Sequence, residues 1–176
     1  MKEEIIPPQI FKVRVFLSWS TKDSASHKMA LGLKQWLCKV IHFSEPFLSS
    51  DDIQAGERWD DILGKQLTES DFGILCITKQ CVNSPWMLFE AGALSGTYRN
   101  PRRVVPFLLN MEPGDLAPPL GRFNAVRADK DGTFKMLDSL NRTPIGQLVD
   151  ENVLKEMFKV FWPEMETVLE QAKGGR

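Results

Sequence analysis

The sequence predicts a single α/β domain, a parallel sheet of about five strands with helices on both faces. Three observations carry that prediction. Short apolar runs of strand length alternate with amphipathic helical patterns along the chain. The connections between them are too short to hold a second domain. The most apolar run, Phe72 to Thr78 (FGILCIT), is continuous rather than alternating, which suits a central strand covered on both faces.

Each element has its own local reason. Lys12 to Trp19 (KVRVFLSW) is rich in β-branched and aromatic residues and reads as the first strand. Asp23 or Ser24 can cap the next helix, where Met29, Leu33, Trp36, Leu37 and Val40 recur at helical spacing. Pro46 to Ser49 is a short second strand, followed by a polar loop, Ser50 to Arg58, and an amphipathic helix marked by Trp59, Ile62, Leu63 and Leu67. After the central strand, Ser84 is placed as an N-cap and Pro85 at the first helical position, so a helix runs to about Ser95 and ends at Gly96. Arg103 to Leu109 is a fourth strand, and Pro106 within it predicts an edge position or a bulge. Phe123 to Ala128 is a fifth, shorter strand, and Thr133 to Leu140 a helix. In the last helix Leu154, Met157, Phe158, Phe161, Met165, Val168 and Leu169 form one stripe, which Pro163 is expected to kink or break. The predicted organisation is a lead over residues 1–11, one domain over 12–172 with C-terminal helices at about 148–172 packed on it, and a frayed tail at 173–176.

Composition narrows the function. The 176 residues are 43% hydrophobic and 26% charged, with a net charge of −1, which suits one domain with a sizeable core. Near neutrality argues against a module that depends on a strong basic field to bind nucleic acid, and the basic cluster from Arg99 to Arg103 reads as a solvated turn. No run is long enough to span a bilayer, and MKEEIIPPQI is neither basic nor apolar enough for a signal peptide, so a cytoplasmic location is expected. Cys38, Cys76 and Cys81 are odd in number and lack metal-ligand spacing, so reduced thiols are expected. With only His27 and His42 as imidazoles, neither in a recognisable constellation, no metal or Ser/His chemistry is expected.

One residue needs a reason. From Pro85 to Leu94 (PWMLFEAGAL) Glu90 is the sole charge in an apolar helix, with Trp86 and Met87 one turn before it and Ala93 and Leu94 one turn after. An ionised carboxylate removed from water costs several kcal/mol, to order of magnitude, unless it is paired or its pKa rises. A buried ion pair, a rim position reaching water, and a functional carboxylate in a cleft all answer that need. The turn after the first strand, SWSTKDS, has no glycine, and no loop ends in GK[ST], so the two common phosphate-binding motifs of α/β proteins are absent. The strand ends carry Ser18, Trp19 and Ser20, then Ser49, Ser50 and Asp51, a hydroxyl-rich set that the face bearing Trp86 and Glu90 can close.

These residues resemble the TIR (Toll/interleukin receptor/resistance protein) domain family, and the bacterial NAD-cleaving members most. VFLSWSTKD is similar to the family's first box, SSDDIQAGERW to its loop after the second strand, and SPWMLFEAGAL to the helix that places a tryptophan four residues before a catalytic glutamate. The matches fall in the family's order, and the alternation of elements agrees to about Asn141. The resemblance implies a flavodoxin-like sheet and an NAD+ glycohydrolase with no metal or cofactor, NAD+ being the substrate. In that reading Glu90 is catalytic, while Trp86 and the strand-end residues Ser18, Trp19, Ser20, Ser49, Ser50 and Asp51 line the substrate site. Some eukaryotic members supply an arginine and an acid where this chain has Ser20 or Thr21 and Ser49.

Many relatives act only when assembled, so Ile53, Gly56, Arg58 and Trp59 are expected to contact a second subunit, although Trp59 also serves simply to anchor its helix. The implied role is a bacterial defence effector activated by oligomerisation, with room for a separate sensor domain or protein. No direct nucleic-acid or membrane partner is expected. Two alternatives stand beside it, a non-enzymatic TIR adaptor and an enzyme like the nucleoside deoxyribosyltransferases.

Overall fold

The computed structural model describes residues 11–48, 59–97, 100–101, 103–143 and 148–174. Five parallel strands, β1 (Val13–Ser18), β2 (Ser44–Leu48), β3 (Phe72–Ile77), β4 (Arg103–Leu108) and β5 (Val126–Arg127), form one sheet in the order β2-β1-β3-β4-β5. That is the flavodoxin-like order, and it puts a reversal of winding between β1 and β3. A separate two-stranded ribbon pairs Gly96–Thr97 with Asn100–Pro101.

The helices are α1 (Ser24–Val40), α2 (Trp59–Glu69), α3 (Pro85–Leu94), α4 (Lys130–Asn141) and α5 (Glu151–Gly174). Residues at alternate positions of β1 feed opposite cores, as period two requires. Val13, Val15 and Leu17 pack with α1, α4 and α5 on one face. Phe16 packs with Leu63 and Leu67 of α2 and with Met87, Ala91 and Leu94 of α3 on the other. The central strand β3 is buried at all six positions, as its unbroken apolar run predicts. Among the described residues, no helix is long and apolar enough to cross a membrane.

The α1 stripe of Met29, Leu33, Trp36, Leu37 and Val40 is buried throughout. Trp36 also donates its indole N–H to the Phe161 carbonyl at 2.8 Å, which fastens α1 to α5. Pro163 does not break the last helix, since α5 runs through it from Glu151 to Gly174. Its apolar stripe packs into the core with α1 on both sides of the proline.

Pro106 also sits differently from expectation. Its strand is not at the edge, because β4 lies between β3 and β5 and Pro106 is in register with Leu75. Backbone direction alternates along the strand, and Leu109 N–H reaches the Ile77 carbonyl on the β3 side, so Pro106 faces β5. The register with β5 begins only at Phe107, so the ladder does not need an N–H from Pro106. The cause is that β5 is just Val126–Arg127, shorter than the Phe123 to Ala128 read from sequence. The second strand begins two residues before its predicted start, and α4 begins three before.

Candidate active site

α3 brings Glu90 to the sheet. Met87, Glu90, Ala91 and Leu94 form its buried stripe at helical spacing, so the carboxylate points inward with three apolar neighbours rather than out to the rim. The helix lies close because β3 carries Gly73, where a side chain's first carbon would come within 2.9 Å of Leu94. Gly96, with φ of 73°, takes the left-handed turn that ends the helix. Ser84 occupies the N-cap position without its side chain making a capping bond.

Glu90 is 1% exposed. Its Oε2 accepts a hydrogen bond from the Ser18 hydroxyl at the carboxyl end of β1. The Trp86 side chain, one turn earlier on α3, also hydrogen-bonds it. No lysine or arginine among the described residues forms an ion pair with it. Burial therefore pushes its pKa up to about 7, while the Ser18 and Trp86 hydrogen bonds hold it down against a larger rise. A carboxyl so poised changes charge near neutrality, where it can serve as a base or as an electrostatic stabiliser.

The other strand-end residues separate. Trp19 turns to the α1 side, where its ring lies 4.1 Å from that of His27 and packs against the opposite core. Ser20 is buried, and its backbone N–H donates to Ser26 Oγ at 3.1 Å. Ser26 in turn donates to the Cys76 carbonyl at 2.7 Å, tying the loop after β1 to β3. Ser18, Trp86 and Glu90 are thus brought into contact, and Trp19 is held on the far side of the sheet. Ser49, Ser50, Asp51, Ile53, Gly56 and Arg58 lie outside the described residues, as does the side chain of Trp59, whose backbone opens α2.

Two features were not singled out in the sequence. Asp23, read only as a cap, accepts from Ala25 N–H at 3.0 Å with one oxygen and from the Thr78 hydroxyl with the other. It spans the crevice between the ends of β1 and β3, and its place directly after the first strand was the available signal. Phe89 is 57% exposed and stacks obliquely on Trp86, with centroids 5.5 Å apart. Cys38 is exposed, Cys76 and Cys81 are buried, and all three are free thiols. Among the described residues, no three His, Cys, Asp or Glu side chains are grouped so as to hold a metal ion.

Comparison with known proteins agrees with the fold. No curated protein matches the chain. The family model described as TIR domain matches residues 15–141, well over half of the chain, from within β1 to the end of α4. The chain therefore belongs to the TIR domain family.

Proposed function

We propose that the protein is an NAD+ glycohydrolase of the bacterial TIR type, cleaving the bond between nicotinamide and ribose with Glu90 as its catalytic carboxylate. The observation that carries the proposal is a buried, cation-free glutamate hydrogen-bonded to Ser18 at the carboxyl end of a central strand and to Trp86. A carboxylate kept in such a place for stability alone would be a poor solution, since burial opposes its charge.

The chemistry asks for little else. As the C–N bond breaks, its electron pair passes to the nicotinamide nitrogen, which leaves as a neutral ring and needs no proton. The ribose is left with oxocarbenium character. An ionised Glu90 can accept hydrogen bonds from the ribose hydroxyls and stabilise that positive charge in a site poor in water. Water then adds to the anomeric carbon and loses a proton, giving ADP-ribose. Capture by an adenine nitrogen of the same molecule would give a cyclic isomer instead. In this reading Trp86 walls the nicotinamide side, and Ser18, Ser20, Ser49, Ser50 and Asp51 are the substrate-lining set, with the contact of Ser18 to Glu90 the strongest support among them; Trp19, turned toward His27 of α1, is left out of it. Self-association through Ile53, Gly56, Arg58 and Trp59 and a role as an oligomerisation-activated defence effector complete the proposal.

A non-enzymatic adaptor is the second reading, favoured by the exposed Phe89 beside the site, a side chain suited to docking. Concentrated protein incubated with NAD+ distinguishes the two. Nicotinamide should appear with wild type and fall at least about a hundredfold in Glu90→Ala and Glu90→Gln. Inert wild type under assembly conditions would leave the adaptor reading, and variants as fast as wild type would remove Glu90 from the catalytic role.

A further inference from the structure

A cleft of about 630 Å³ opens at the amino end of β4, bounded by the start of that strand, the segment 122–126 and Lys135, Met136 and Ser139 of α4. It exists because β5 is too short to continue the sheet there. Its walls carry Arg103, Arg122 and Lys135, and no acidic side chain is among the described residues that line it. For a chain with 22 basic and 23 acidic residues, three cations without a counter-charge around one concavity are a concentrated positive field. The Arg103 guanidinium is held in place by donating to the Ser139 carbonyl at 2.6 Å. The side chains of Arg122 and Lys135 are exposed, and no ion pair or hydrogen bond engages them among the described residues.

We propose that this cleft is a second ligand site, separate from Glu90, for a small molecule that carries phosphate groups. Ser18 and Glu90 lie at the carboxyl end of β1, whereas the cleft is built on the first residues of the parallel strand β4, at the opposite end of the sheet. Its volume falls within the roughly 300–1,000 Å³ of ordinary small-molecule sites. Two guanidinium forks and an ammonium suit the oxygens of a phosphate or pyrophosphate. Because the register with β5 starts at Phe107, Val104 turns its backbone N–H toward the cleft as a further donor. Half-buried Phe123 and the valines of β4 supply an apolar wall for a base or sugar. A nucleic acid would want a longer basic track than one cleft on a near-neutral chain. The inference does not depend on what Glu90 does.

The test is calorimetric titration of the whole chain with inorganic pyrophosphate and with ADP, using wild type, Glu90→Gln, Arg122→Ala, Lys135→Ala and Lys135→Arg. Saturable binding is expected in wild type and in Glu90→Gln alike, weakening as salt rises. Each alanine variant should bind about tenfold more weakly, and Lys135→Arg should bind like wild type. Tighter binding of ADP than of pyrophosphate would add the apolar wall to the site. Absence of saturation, or wild-type affinity in both alanine variants, overturns the proposal. So does displacement of pyrophosphate by a poly-glutamate peptide at lower concentration than by ADP, which would assign the cleft to an acidic protein partner.

Discussion

Ser18, the last residue of β1, donates its hydroxyl to Glu90, 72 positions further along the chain. The bond favours the ionised form of a carboxyl that burial otherwise keeps protonated. Removing the hydroxyl in Ser18→Ala should raise the Glu90 pKa further above neutrality. At pH 7 nicotinamide release should then fall about tenfold, with part of the loss recovered at pH 8.5. An equal loss at both pH values would mean that Ser18 acts by touching substrate and not by holding the charge of Glu90.

Trp86 makes the second and smaller contribution to the same carboxylate. Trp86→Phe keeps an aromatic ring beside Phe89 but deletes the indole N–H. Its pH profile should move in the same direction as that of Ser18→Ala and by less. A larger displacement in Trp86→Phe would reverse the order of the two supports.

With Glu90 titrating at about 7, the rate constant kcat/KM for NAD+ should climb roughly tenfold per pH unit below that value and level off above it. Glu90→Gln should abolish the inflection along with the activity. A flat profile from pH 5.5 to 8.5 would separate turnover from the ionisation of this residue.

The same ionisation acts on stability with a definite sign. The folded carboxyl, at about 7, holds its proton over a range in which the unfolded one, near the ordinary 4.5, has lost it. The folded state therefore binds more protons between those values, and stability falls as pH rises through them. The contribution is fully present below about 4.5 and is lost above about 7, and its size is about 3 kcal/mol. Urea denaturation at pH 5 and pH 8 should show wild type losing stability relative to Glu90→Gln over this interval. A constant difference between the two proteins would show that the folded and unfolded carboxyls titrate together.

Asp23 joins the first turn of α1 to Thr78 at the end of β3. Asp23→Ala removes the cap and the carboxylate that accepts from the Thr78 hydroxyl, which should cost about 2 kcal/mol in chemical denaturation. Asp23→Asn keeps an acceptor for Ala25 N–H and should lose less. Equal losses would place the energy in the negative charge, not in the cap.

Much of this architecture is written locally. The unbroken FGILCIT run marks the central strand, and the stripe from Met29 to Val40 marks the face of α1 that meets α5. The inward aim of Glu90 follows from its spacing with Met87, Ala91 and Leu94. What local pattern does not carry is which strands are neighbours and how far their ladders extend. Pro106 looked like an edge residue because sequence shows the missing N–H but not the length of β5. Pro163 signalled a break because propensity does not register the tertiary packing that holds α5 together. Ser18 and Trp19 are adjacent at the end of the first strand, yet period-two alternation already sends such neighbours to opposite faces of a sheet, and Trp19 does end beside His27.

The short β5 leaves the first residues of β4 without a strand partner on that side, and such a stretch invites a strand from another molecule to add itself. Two side chains discourage this. Pro106 withholds the next N–H on that side, which interrupts hydrogen bonding from Phe107 toward the start of the strand, and Arg103 sets a charge at that start. The same pair leaves the cleft open to a solute while making it a poor template for β-aggregation, so Pro106→Val should make the protein more prone to form fibrils even where its folded stability is unchanged.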